Sequence, residues 1–196
     1  MTPAVDALQA DQIRAALAPE ILAGIAVLQV VDETGSTQAD ALAAPIPAQG
    51  CAVFLAERQV AGEGRRGRRW ISPPGGGIAL SVSRRFARSA PEMAGLSLAV
   101  GVAVAEALHG IGLPQVRLKW PNDLQVEGSK LGGILVNLRA DRQSCAAVIG
   151  VGLNVRMPTE VAAVIGQPVC DMASNMPSPP TRNEVVAAVG CRLGSH

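Results

Sequence analysis

Residues Pro91 to Gly110, PEMAGLSLAVGVAVAEALHG, put the tightest limit on what this chain can fold into. From Ala94 to Ala105 there is no charged side chain, and Glu106 is the first to interrupt the run. A helix that apolar has to be covered over most of its surface. The run falls short of the ~20 residues that a bilayer span needs, so it is expected as a buried helix lying across a sheet. With 196 residues, 48% of them hydrophobic, the chain can supply one domain with a true core.

A sheet to receive that helix is legible as apolar runs bounded by turn residues. GIAVLQVVDETGSTQADAL reads as a strand, a polar turn and a helix start, with Ser36 or Thr37 as the N-cap. GCAVFLAERQ and GGGIALSVSRRF are two further strands, and QVRLKW runs into a turn at Pro121-Asn122-Asp123. LQVEGSKLGGILVNL predicts a hairpin around residues 127–129, and SCAAVIGVGLNVRM another β run. Helical spacing of Val5, Leu8, Ile13 and Leu17 predicts a first helix that Pro19 stops. A Pro/Ser loop over 176–180 precedes a last helix toward His196, opened by a Thr181/Glu184 capping box. The fold class is α+β: a mixed, mostly antiparallel sheet with helices packed on one face.

The formal net charge of +1 argues against a general nucleic-acid binder. Two tryptophans, two phenylalanines and no tyrosine leave little for base stacking. Charge is concentrated instead in GEGRRGRRW, residues 62–70, with four arginines among three glycines. Arginine supplies fifteen of the seventeen cations, leaving Lys119 and Lys130 as the two lysines. Cys51, Cys145, Cys170 and Cys191 form no C-x-x-C pair, which fits free thiols in a reducing compartment. With His109 and His196 the only histidines, a zinc site is not expected. No basic segment followed by an apolar one opens the sequence, so a cytoplasmic location and no membrane partner are expected.

Four polar clusters punctuate the strands. Each has an ordinary reading: Ser36-Thr37-Gln38 as a helix cap, Pro121-Asn122-Asp123 as a turn, GSKLGG as hairpin chemistry and GVGLN as a bulged strand end. Taken together they suggest more, because glycines at 75–77, 132–133 and at 150 and 152 sit at strand edges where a ligand can approach the backbone. Arginine forks and clustered backbone N–H groups suit a phosphate. Walker and Rossmann glycine patterns are missing, as are a Ser-His-Asp or Cys-His set and an obvious pair of glycosidase acids.

ETGSTQ, ERQVAGEGRRGRRW, LKWPNDL, SKLGGILV and GVGLNV, in this order and spacing, resemble the catalytic core of biotin–protein ligases from about Glu33 to Val155. That resemblance implies the biotin–lipoate ligase fold, related to class II aminoacyl-tRNA synthetases, over residues 1–196 as one catalytic domain. It implies activation of biotin by ATP to biotinyl-5′-AMP, then transfer to a lysine of a biotin carboxyl carrier domain of a biotin-dependent carboxylase. By similarity Lys130, Arg65 and Asp123 carry the chemistry, with Mg²⁺ at Asp123. Biotin would meet Ser36, Thr37, Gln38, Gln59, Glu63, Gly64, Arg65, Lys130, Gly132 and Gly133. ATP would meet Arg66, Arg68, Trp70, Lys119, Asn122 and Asn154. For Trp120, core packing and ligand contact are both open. The arginine loop is expected to be a mobile lid carrying its own counter-charge.

Two departures stand out. Glu63 occupies a loop position where the family usually has arginine, with pairing to Arg66 or Arg69 as its ordinary alternative. The family's C-terminal SH3-like barrel and N-terminal winged helix are expected to be absent, so weakened ATP binding, poor acceptor labelling and no repressor role are anticipated. A homodimer is left open. The alternatives are a non-catalytic biotin or biotinyl-adenylate binding protein, and a lipoate or octanoyl ligase of the same fold.

Overall fold

The structure, a computed structural model, describes residues 6–140 and 145–194. Its centre is a seven-stranded sheet in the order β1-β2-β3-β7-β6-β5-β4. The strands are β1 (Ile25–Thr34), β2 (Cys51–Gln59), β3 (Gly77–Phe86), β4 (Arg117–Lys119), β5 (Asp123–Val126), β6 (Ser129–Ala140) and β7 (Cys145–Asn154). β1 and β2 run parallel and every other neighbour pair is antiparallel. The mixed, mostly antiparallel sheet expected from the sequence is the one present.

The period-two alternation of β3 explains how the sheet is used. Ile78, Leu80 and Val82 stand opposite Leu153, Val151 and Ile149 of β7 and face one side. Ala79, Ser81 and Ser83 face the other. On the first side lie α1 (Ala10–Ala16), α4 (Leu96–Gly110) and α7 (Arg182–Gly194), which contribute Ile13, then Val100, Val104 and Leu108, then Val185, Val186 and Val189 to one core; the short α5 (Thr159–Val164) and α6 (Met172–Asn175) lie between β7 and α7 in the chain. Each such fully buried side chain contributes about 1.5–3 kcal/mol of transfer free energy. On the second side sits α3 (Thr37–Ala43), whose Ala41 joins Ala52, Phe54 and Val148 in a small separate cluster. The helices are therefore not confined to one face: α3 takes the opposite one, because Thr37 and Gln38 must reach the polar side of β3 and β7.

The long apolar segment is divided. Pro91–Met93 forms a 3₁₀ turn and the α-helix starts at Leu96. Pro91–Gly110 spans 20 residues and contains an 18-residue window of mean hydropathy 1.5, long and apolar enough to cross a membrane by length and composition. Counting only Ala94–Ala105 understated that length. Here the helix packs against β4, β5, β6 and α7, with Leu98 and Val102 exposed on its outer side. Gly101 lets it approach Leu118 of β4, since a Cβ there would lie 2.9 Å from Leu118 Cδ2.

Several local expectations hold. Glu127 (φ 49°) and Gly128 (φ 80°) make the two-residue turn of the β5–β6 hairpin, a pair of positive φ values suited to the twist of antiparallel strands. Ser36 caps α3 by accepting from Ala39 N at 3.4 Å. Thr181 and Glu184 form the reciprocal box at the start of α7. Pro19 does not merely stop a helix: α1 covers only Ala10–Ala16, and Pro19 opens the short α2 (Pro19–Ala23), where its missing N–H is no loss. Val5 and His196 lie outside the described residues. Arg182, 1% exposed, ties the layers together through an ion pair with Glu57 of β2 at 2.8 Å.

Candidate active site

The arginine segment folds as a tight hairpin between β2 and β3. Trp70 N donates to Gly62 O at 2.8 Å and Gly64 N to Arg68 O at 2.6 Å, with Glu63 and Arg69 bridged through their backbones. The tip turns at Arg66 (φ 60°) and Gly67 (φ 70°). A non-glycine residue in the left-handed region costs about 1–2 kcal/mol, so the tip holds Arg66 in a conformation that glycine would adopt freely. Arg65 Nη1 donates to Asn122 Oδ1 at 3.1 Å and joins the hairpin to the β4–β5 turn. Among the described residues Glu63 makes no ion pair with Arg66 or Arg69; it is exposed and lines the cavity.

Across the cavity the β4–β5–β6 ribbon places the lysine. Asn122 is fixed from both directions: its Nδ2 donates to Ile134 O and its O accepts from Ile134 N, each at 2.9 Å. That closure sets Asp123 at the start of β5, where its Oδ1 lies 2.8 Å from Lys130 Nζ. The two side chains are only 21% and 15% exposed, so the pair is partly desolvated. Lys130 Nζ also lies 5.9 Å from the centre of the Trp70 ring. The backbone of Lys130 is clamped to the next segment, its N donating to Pro168 O and its O accepting from Cys170 N.

The floor is the polar face of β3 and β7. Thr37 N and Thr37 Oγ1 both donate to Gln59 Oε1, at 2.8 and 3.1 Å. Thr37 Oγ1 is 3.0 Å from Ser81 Oγ, and Ser81 Oγ donates to Gln38 Oε1 at 3.0 Å. Gln38 Nε2 donates to Asn137 Oδ1 and to Val148 O. Two glycines make this floor possible through space. A Cβ on Gly150 would lie 2.6 Å from Gln38 Oε1, and one on Gly152 2.5 Å from Trp70 Cε2.

These parts enclose a cavity of about 870 Å³, within the range of small-molecule sites. It brings together Ser36, Thr37, Gln38, Gln59, Glu63, Gly64, Arg65, Arg66, Arg68, Trp70, Lys119, Asn122, Asp123, Lys130, Gly133 and Asn154, which the sequence had singled out. Gly132 is the exception. A Cβ there would meet Gly152 O at 2.6 Å and Leu153 Cδ2 at 2.7 Å, so its missing side chain makes room for the close packing of β6 on β7. Trp120 is 82% exposed at the cavity wall, which excludes core packing. Asn154 donates from Nδ2 to the carbonyls of Lys130 and Cys170, which fixes its side chain at the cavity wall.

Sequence reasoning missed Ser81, Asn137 and the wall formed by residues 164–167 and Val169. Ser81 carried one usable signal, a polar residue at the centre of an apolar strand. Among the described residues no cysteine lines the cavity; burial pushes the Cys170 thiol up, and its Sγ donates to Ser129 O. Among the described residues no three His, Cys, Asp or Glu side chains cluster as a metal site.

The chain belongs to the biotin/lipoate A/B protein ligase family, whose model matches residues 28–154. Bifunctional ligase/repressor BirA of Escherichia coli is 40% identical over 144 residues, covering 73% of this chain and 44% of that protein. The biotin–[acetyl-CoA-carboxylase] ligase of Mycobacterium tuberculosis is 43% identical over 141 residues, 68% of this chain and 52% of its own length. The chain thus spans about half the length of the curated relatives it matches. The solved biotin protein ligase from Aquifex aeolicus in complex with biotin and ATP superposes with a TM-score of 0.68 at 27% identity, over 87% of this chain and 69% of that one.

Proposed function

We propose that this chain catalyses ATP-dependent activation of biotin and transfer of the biotinyl group to a lysine of a biotin carboxyl carrier domain. A carboxylate oxygen of biotin attacks the α-phosphorus of ATP, and pyrophosphate leaves, giving biotinyl-5′-AMP. The neutral amine of the acceptor lysine then attacks the acyl carbon, AMP leaves, and the amine's proton passes to solvent.

The difficulty of the first step is electrostatic, since an anion must approach an anionic triphosphate. Two unit charges ~4 Å apart interact by about 4 kcal/mol at an effective dielectric near 20. The observation that carries the reading is Lys130, held at 2.8 Å from Asp123 in a partly desolvated cavity that the arginine hairpin overhangs. Lys130 has three N–H donors; one goes to Asp123, and two can serve the biotin carboxylate and the α-phosphate. Arg66 and Arg68, exposed at the rim, suit the outer phosphates. Asn154, with both Nδ2 hydrogens committed to carbonyls, would accept from an adenine amino group through Oδ1, with Trp70 as a packing surface.

The donor set fits Mg²⁺ carried in on the phosphates better than a resident ion. Asp123 Oδ1 is committed to Lys130, leaving one carboxylate oxygen, and Mg²⁺ is commonly held by one or two carboxylates plus substrate phosphates. When bound it would offset charge on the departing pyrophosphate.

Pyrophosphate release, measured with ATP plus biotin and with ATP plus lipoate, tests the reading. Release that depends on biotin and transfers label to a carrier domain is the expected result. Tight biotin binding without release would make this a binding protein, and preference for lipoate would move it to the other branch of the family.

A further inference from the structure

The hydrogen bonds beneath the cavity have a direction that can be worked out from one backbone atom. Val148 O, a main-chain carbonyl of β7, can only accept. The Gln38 side-chain nitrogen must therefore face it, at 3.1 Å, and Nε2 gives its second hydrogen to Asn137 Oδ1 at 2.9 Å. Gln38 Oε1 is then turned toward Ser81, and since an amide oxygen only accepts, the single Ser81 hydroxyl hydrogen is spent on it. Ser81 Oγ can accordingly only accept from Thr37 Oγ1, 3.0 Å away. The other neighbour of Thr37 Oγ1, Gln59 Oε1 at 3.1 Å, is also an acceptor. Whichever it chooses, the Thr37 hydrogen points back into the protein.

Both hydroxyls thus offer only lone pairs to the cavity. Ser81 is 1% exposed, Thr37 3% and Gln38 6%, so water is poorly placed to reverse the relay. The donors at this end are different atoms: Gln59 Nε2 and the Ser36 hydroxyl hydrogen, for which the described residues record no acceptor. Two acceptors beside donors form the complement of a group with two N–H donors and one carbonyl, which is a cyclic urea. A dithiolane or plain alkyl end offers no N–H to such a floor and would leave it unsatisfied, at a penalty of about 1–3 kcal/mol per buried group.

We propose that Gln38 is a positioning residue that fixes the proton direction of the Gln38–Ser81–Thr37 relay, anchored on Val148 O and Asn137, and that this direction selects a ureido ligand. Gln38 has its Nε2 hydrogens committed and acts through Ser81 and Thr37. Gly150 is part of the device, because any Cβ there would strike Gln38 Oε1. The proposal rests on biotin as the ligand.

The test measures binding of two ligands to the whole chain: biotin, and its carbamate analogue in which one ureido N–H is replaced by oxygen. The unsubstituted protein should prefer biotin by roughly tenfold or more, the worth of one hydrogen bond. In Gln38→Met, similar in length but without an acceptor, Ser81 is free to donate into the cavity. Biotin should bind about tenfold more weakly and the preference should fall to within about threefold, while ATP affinity in the same protein stays within about twofold. Ser81→Ala, which adds no bulk, should erode the preference in the same direction and serves if Gln38→Met folds poorly. Equal weakening of both ligands, with the preference intact in either folded variant, would overturn the relay and leave Gln38 a packing residue. Failure of the unsubstituted chain to bind biotin at all would instead overturn the ligand assignment on which the proposal stands.

Discussion

The two faces of one sheet are built by opposite rules from alternate residues of the same strands. On β3, Ile78, Leu80 and Val82 fill one core with α4 and α7, while Ala79, Ser81 and Ser83 leave the other face shallow and polar. On β7, Ile149, Val151 and Leu153 alternate with Val148, Gly150 and Gly152. The apolar face is close-packed, so its stabilisation comes from volume removed from water. The other face is small, so that Gln38 and Trp70 can lie on it and a ligand can lie between them. The difference teaches that the core face should answer to mutation in stability and the cavity face in chemistry.

The sharpest way to break this contrast is Lys130→Ala. Adenylate formation should fall by about 10³-fold or more, roughly 4 kcal/mol of transition-state stabilisation, while thermal unfolding moves little. A variant with normal pyrophosphate release would detach Lys130 from the first step.

Leu55→Ala probes the other side of β2. Leu55 is 1% exposed in the main core, and its truncation should cost about 2–5 kcal/mol. Denaturant unfolding should show this, with biotin affinity per folded molecule close to unchanged; a selective loss of biotin binding would contradict the separation of the faces.

Gly152→Ala should give an intermediate effect of the opposite kind. The new Cβ would meet the Trp70 ring, and because that ring borders open space it can swing aside. ATP affinity is expected to drop about tenfold, roughly 1.4 kcal/mol, with less than about 1 kcal/mol lost from stability. Titration of ATP against a Trp70→Ala control checks that the effect passes through the ring.

The smallest expected effect returns to the core layer. Hydrogen bonds from the Thr181 backbone N–H and then its hydroxyl hold the Glu184 carboxyl below the ordinary glutamate range. A lowered folded-state value means that this contribution is full above the unfolded value and is lost as pH falls through the folded one. Exposure limits it to under about 1 kcal/mol. Glu184→Gln should flatten that part of the acid limb of the stability profile, and pyrophosphate release at neutral pH should not change.

What was readable in the sequence was local. The Glu127-Gly128 turn, the Ser36 cap, the Thr181/Glu184 box and the strand runs depend on residues within a few positions of one another, where steric and capping rules act directly. The motif residues could be named because their spacing along the chain resembles a family, and all but Gly132 line one cavity. Adjacent glycines at 132 and 133 look alike in sequence, yet the pleat sends one toward Leu153 and the other toward Lys130. Trp120 is apolar in composition and lies in the open.

Ser81 and Asn137 carry no motif, and their part in the floor depends on Gln38 reaching Asn137 across 99 residues of chain. The residues themselves fixed which strands and turns form and how many cations the arginine hairpin brings. Only the tertiary structure decided which face each strand shows to the ligand and which way the buried hydroxyls point. Periodicity encodes that a strand has two sides, whereas which side meets α3 depends on pairing between strands far apart in sequence. The direction of a hydroxyl proton depends on the last acceptor in the relay, here a β7 carbonyl of a kind every residue carries.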